Sequence, residues 1–87
     1  MTRELVFTRS FERLFKRLPQ PIRNAAYAKL ALYLADAAHP SLRVKRIQGT
    51  ERIWEMSITM NYRLTFEIDG GTVLLRRTGT PDPLRQP

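Results

Sequence analysis

The dipeptide His39-Pro40 divides the chain into two parts with different hydrophobic periods, and that change constrains the fold more than any other feature. A residue before proline is pushed out of the helical region, and proline cannot continue a helical hydrogen-bond ladder. Ahead of the break, Phe11, Leu14, Phe15 and Leu18 fall at i, i+3, i+4 and i+7, which predicts an amphipathic helix that Thr8 or Ser10 can cap. Arg13, Lys16 and Arg17 lie off this stripe and make the outer face basic. Pro19 and Pro21 end the first helix and start a second, from about Pro21 to Asp36, with Ile22, Ala26, Leu30 and Tyr33 or Leu34 as its buried seam. Leu5-Val6-Phe7, ahead of both helices, is a short β-prone run.

After the break the pattern is that of strands. Leu42 to Ile47, Ile53 to Ile58, Tyr62 to Ile68 and Thr72 to Thr78 are the expected strands, with a turn at Gly49 and a hairpin at Asp69-Gly70-Gly71. Parity then assigns faces. Tyr62, Leu64, Phe66 and Ile68 alternate with Arg63, Thr65 and Glu67, so the first set turns to the helices and the second away. A two-residue loop at either Asp69-Gly70 or Gly70-Gly71 puts Leu74, Arg76 and Thr78 on the Arg63 side. An odd-length connection around Thr59 to Asn61 makes Trp54, Met56 and Ile58 core and sends Glu55 and Ser57 to the outer face.

Composition narrows the function. A chain of 87 residues suffices for one compact domain, 1–87, and not for two. Its hydrophobic content of 43% favours an ordered fold, with only Pro83 to Pro87 reading as a loose tail. There is no cysteine and one histidine, which removes disulfides, thiol nucleophiles and thiolate metal sites; no metal or other cofactor is expected. The N-terminus carries Arg3 and Glu4 in place of a secretory apolar run, and no stretch has the length of a membrane span, so the expected location is the cytoplasm. Fifteen basic residues against eight acidic ones give a formal charge of +7, and the basic residues are overwhelmingly arginine. The planar fork of arginine suits phosphates and stacks on bases, which favours nucleic acid or an acidic partner over a merely solvated surface.

Two chemical features stand out on the outer face. Arg63 and Arg76 come on neighbouring strands, where like charges are unfavourable unless an anion is shared. Glu55 on the other neighbour can pair with Arg63 instead, and an anion site and a salt-bridge network account equally well for the same residues.

Across almost its full length the chain resembles the RelE/ParE superfamily of bacterial type II toxin-antitoxin toxins. Four segments carry the resemblance. They are Phe7 with the run Ser10 to Pro19; His39-Pro40-Ser41-Leu42 with Lys45-Arg46-Ile47-Gln48-Gly49; Trp54 with Asn61-Tyr62-Arg63-Leu64; and Leu74-Leu75-Arg76-Arg77-Thr78-Gly79-Thr80. The resemblance implies an α+β fold in which an N-terminal two-helix hairpin packs on one face of a twisted antiparallel sheet. In the RelE and YafQ branches it implies a metal-free endonuclease that cuts mRNA in the ribosomal A site and is held silent by a cognate antitoxin in a hetero-oligomer. Such cleavage needs a base for the ribose 2′-hydroxyl, cations for the pentavalent phosphate and an acid for the leaving 5′-oxygen. Arg63 matches the arginine of the family's Tyr-Arg pair and is the expected phosphate stabiliser. Glu55 is a candidate base by position, and Arg76 a second cation. Arg43, Lys45 and Arg46 read as a basic strand that holds RNA backbone, joined by Arg77 and Arg85.

One departure bears directly on catalysis. YafQ-like relatives carry Thr-Gly-Ser-His or Gly-Thr-His where this chain has Gly79-Thr80-Pro81-Asp82, so proline replaces the expected general acid. Asp82 is the nearest substitute, although an unperturbed aspartate is mostly ionised near neutral pH. Asn61 also stands where YafQ-like relatives carry aspartate, and His39 matches no catalytic position and reads as a turn or cap residue. Three functions remain in competition: an attenuated ribosome-dependent mRNA endonuclease, a ParE-type inhibitor that binds DNA gyrase without chemistry, and a non-catalytic RNA- or antitoxin-binding module.

Overall fold

The β-prone run near the N-terminus is the first strand of the sheet, and this corrects the expected architecture. The computed structural model describes residues 3–80. Along them run β1 (Glu4–Phe7), α1 (Arg9–Phe15), α2 (Gln20–Ala35), a 3-10 turn (Pro40–Leu42), β2 (Lys45–Arg46), β3 (Ile53–Ser57), β4 (Arg63–Asp69) and β5 (Thr72–Gly79). The five strands order as β1-β5-β4-β3-β2; β1 lies parallel to β5 and every other pair is antiparallel. The sheet is therefore mixed, and the helices follow the first strand and do not form an N-terminal hairpin. The cause is backbone pairing that no local pattern displays: Glu4 N–H donates to Gly71 O at 2.9 Å, while Leu5 and Phe7 pack against the core. Without β1, β5 would present a bare edge.

Thr8 joins strand to helix. Its hydroxyl donates to Leu75 O at 2.6 Å and accepts from Phe11 N–H at 3.2 Å, so one side chain caps α1 and ties it to β5. The helix stops at Phe15, a turn short of the predicted stripe: the chain tightens to i→i+3 bonds, Arg17 N–H to Leu14 O and Leu18 N–H to Phe15 O, both at 3.1 Å, and Pro19 has no N–H to continue the ladder. Leu18 is buried all the same. In α2 the seam consists of Ala26, Leu30 and Tyr33, while Leu34 is exposed. Tyr33 packs edge-on against Phe66, with ring centroids 5.3 Å apart, and its hydroxyl accepts from Arg3 Nη1 at 2.6 Å. Burial pushes the Tyr33 phenol pKa up, opposed by the charge and hydrogen bond of Arg3.

The predicted strand at Leu42 to Ile47 contracts to two residues. Leu42 is drawn fully into the core at the end of the 3-10 turn, and the chain then reverses through Arg43 in the left-handed conformation, φ 49°. For a residue with a Cβ this costs on the order of 1 kcal/mol. His39 caps the turn, its Nδ1 accepting from Ser41 N–H at 3.2 Å.

Across the hairpin Asp69 faces Thr72, so Gly70-Gly71 is the loop, with Gly70 at the positive φ of 61° that such turns require. Phe66 pairs with Leu75 but Thr65 pairs with Arg77, which leaves Arg76 as the extra residue of a β-bulge. The bulge shifts parity: Thr78 sits opposite Leu64 on the helix side and is buried, contrary to its predicted place on the outer face. Phe11, Met56, Leu64, Phe66 and Leu75 are all at 0% exposure and form the centre of the core. Each such side chain contributes roughly 1.5–3 kcal/mol. Among the described residues, no helix is long and apolar enough to cross a membrane.

Candidate nucleic-acid interface

Strand parity brings Lys45, Glu55, Ser57, Arg63, Thr65, Glu67 and Arg77 to the face turned away from the helices. Lys45 is opposite Glu55, Glu55 opposite Thr65, and Ser57 opposite Arg63. Arg63 therefore reaches Glu55 along the diagonal, Nη1 to Oε1 at 2.7 Å. Lys45 Nζ approaches the same oxygen at 3.7 Å. The Arg63–Glu55 pair is the more sheltered, with side-chain exposures of 24% and 15% against 64% for Lys45. Screening by water leaves the Lys45 contact weak, whereas the Arg63 bond is short and charge-assisted. One donor of this guanidinium is not satisfied among the described residues: Arg63 Nε is buried without a hydrogen-bond acceptor there. The Arg63 backbone is held independently, its carbonyl accepting from Thr78 Oγ1 at 3.0 Å.

On the next strand Arg76 Nη1 lies 3.2 Å from Glu67 Oε1. The bulge then turns Arg77 alongside Thr65, whose hydroxyl accepts from Arg77 N–H at 3.2 Å. Arg76 and Arg77, which strict alternation would send to opposite faces, together line a hollow of about 180 Å³ beside Thr8 and Ser10. A larger hollow of about 600 Å³ lies elsewhere, between β1 and the helices, and holds Phe7, Phe15 and Tyr27 but none of the arginines of the sheet face.

The sequence-predicted residues are thus only partly assembled. Glu55, Arg63 and Lys45 form one cluster; Arg76 and Arg77 flank it from β5. Arg46 lies opposite Trp54 and takes the other face, so Lys45 and Arg46 do not act as one basic strip. Arg43 is not on a strand at all. Asp82, Arg85 and Pro81 lie outside the described residues. Lys29, on α2, is not among the sequence-predicted residues: its ammonium reaches Ser41 at 3.3 Å and lines a hollow with Arg43. The helical period shows only that Lys29 is off the buried seam, and the chain reversal that brings Ser41 to it has no sequence signature.

Chemically, the cluster offers a fixed cation with a carboxylate already seated on it. An incoming phosphate must either share Arg63 with Glu55 or displace it, and a displaced Glu55 would be left as a free base next to the anion.

No protein-family model matches the chain, and no curated protein matches it in sequence. Solved structures do match in fold. The RelB-RelE antitoxin-toxin complex from Methanococcus jannaschii aligns with a TM-score of 0.73 at 20% identity, over 93% of this chain and 95% of that one. The E. coli DinJ-YafQ toxin-antitoxin complex aligns with a TM-score of 0.80 at 13% identity, over 97% and 98%. A mutant of E. coli toxin RelE in the free state aligns with a TM-score of 0.75 at 16% identity, over 98% and 90%. The mixed sheet, the two helices that follow its first strand and their near-complete overlay on these structures give this chain the RelE-like toxin fold.

Proposed function

We propose that the chain is the toxin of a toxin-antitoxin pair and acts on RNA as a slow, ribosome-dependent mRNA endonuclease. The observation that carries this reading is the Arg63–Glu55 pair on the sheet face turned away from the helices, a cation and a candidate base 2.7 Å apart in a chain of charge +7. Arg63 stabilises the charge that builds on the phosphate when the 2′-hydroxyl attacks it, and Glu55 takes the proton. Arg77 and Arg76 supply further positive charge from β5. Proline at position 81 leaves this reaction without the proton donor that the resembled pattern carries for the leaving 5′-oxygen, which makes it slow. Two of the structural neighbours are toxins solved with their antitoxins, which supports an antitoxin partner here; an acidic segment suits the exposed basic face.

Controlled expression tests the toxin role. Wild-type protein should arrest growth and translation, Arg63→Ala should not, and co-expression of the adjacent reading frame should yield a complex that weakens as salt rises. Arrest with intact messages and inhibited DNA supercoiling would replace the endonuclease reading by gyrase binding.

A further inference from the structure

We infer that the chain holds a second phosphate site, in the hollow where α2, the 3-10 turn and the end of β3 meet, and that it grips a backbone phosphodiester of the same RNA. This rests on the RNA-directed reading above and extends it to residues outside the Glu55–Arg63 cluster. The hollow has a volume of about 170 Å³ and is lined by Lys29, Ser41, Arg43, Ser57, Thr59 and Met60. Two cations and three hydroxyl-bearing residues therefore line it, beside Ile58, with no carboxylate in the wall among the described residues. That donor set fits a tetrahedral anion.

The two cations of this hollow differ from Lys45, Arg63 and Arg76 in lacking a carboxylate partner among the described residues. Lys45 and Arg63 share Glu55, and Arg76 has Glu67. Among the described residues neither Lys29 nor Arg43 has an acidic partner; Lys29 Nζ has only the Ser41 hydroxyl at 3.3 Å and carbonyl at 3.4 Å. Two like charges facing one small hollow repel unless an anion lies between them. The backbone gives a second, independent observation. The reversal after the 3-10 turn requires a left-handed residue, for which glycine is the unstrained choice, yet the position carries Arg43 at φ 49°. Strain retained where a smaller residue would relieve it points to a use for the side chain. Ser57 connects the two sites: it lines the hollow, is 7% exposed, and lies directly across from Arg63. Met60, 83% exposed on the rim, offers a polarizable apolar contact to a base whose phosphate is held below.

The chain has three lysines, Lys16, Lys29 and Lys45, and this makes a footprint decisive without any mutation. Wild-type protein is acetylated at low salt with and without a 2′-O-methyl oligoribonucleotide, which cannot be cut, and each lysine is quantified by mass spectrometry. The oligonucleotide should protect Lys29 and Lys45 several-fold and leave Lys16, which lines the hollow near Phe7 and Tyr27, unchanged. Protection of Lys45 without Lys29 would overturn the second site and leave the RNA reading standing. No protection anywhere would overturn both, and equal protection of all three would mean non-specific coating and overturn the site. Arg43→Gly provides the complementary test, since glycine keeps the turn and deletes the cation. Binding should weaken about five- to tenfold and the log–log salt slope should fall by about 0.7, the value for one single-strand phosphate contact. An unchanged affinity and slope would count against the site.

Discussion

The backbone N–H of Arg77 donates to the Thr65 hydroxyl at 3.2 Å, and Thr65 is itself fully buried on the sheet face opposite the helices. This bond sits at the bulge that brings Arg76 and Arg77 to one hollow, so it sets the geometry of the basic surface as well as the register of the hairpin. Thr65→Val, nearly isosteric, removes the acceptor and costs the part-buried Arg77 N–H this hydrogen bond. The expected cost is about 1–2 kcal/mol, visible in urea unfolding as a lower midpoint with an unchanged m value. A variant as stable as wild type would show that the bulge is held by the strands alone.

Glu55→Gln separates the two roles assigned to Glu55. The amide no longer neutralises Arg63, so affinity for an uncleavable oligoribonucleotide should rise several-fold while cleavage falls by ~10²–10⁴, the usual worth of a general base. Binding and cleavage falling together would make Glu55 a positioning residue that merely holds Arg63 in place.

Much of the sheet face was legible because strand parity is a strict rule: Glu55, Ser57 and Arg63 share a face as alternation requires. The rule fails where a residue is inserted. Nothing in Leu74-Leu75-Arg76-Arg77-Thr78 announces the bulge, which is decided by pairing with Thr65, and Thr78 was therefore assigned to the wrong side. Strand β1 was visible as a β-prone run but its role was not, because its partner lies at the far end of the described chain and parallel pairing leaves no hairpin signal. That Arg43, Lys45 and Arg46 do not lie along one strand has a third reason. Burial of Leu42 outweighs the strand propensity of its neighbours, and the turn that follows scatters the three side chains.

Tyr33 makes stability fall in alkali. Burial raises its pKa above the ordinary 10.0, so between that value and the folded one the unfolded chain has released a proton that the folded chain retains. Folding is then progressively disfavoured as pH rises through this window, and there is no effect below it. Denaturation measured from pH 9 to 11 should show the decline, and Tyr33→Phe should flatten it. A slope unaffected by the substitution would assign the decline to other groups.

In the proposed reaction Pro81, which lies outside the described residues, stands in for the proton donor. Pro81→His should raise mRNA cleavage on ribosomes by one or more orders of magnitude, with a pH dependence that reports the new imidazole. Pro81→Ala controls for release of the rigid backbone. Equal rates in all three proteins would dismiss the missing-acid explanation.

Whether Arg63 acts on RNA from the sheet face turned away from the helices is tested most directly by mapping message ends on purified, programmed ribosomes with wild-type and Arg63→Ala protein. New 5′ ends within the ribosome-bound codons are expected for the wild type, none for Arg63→Ala, and a thermal transition in both. Intact messages at stoichiometric wild-type protein, or equal cutting by both forms, would contradict this action of Arg63.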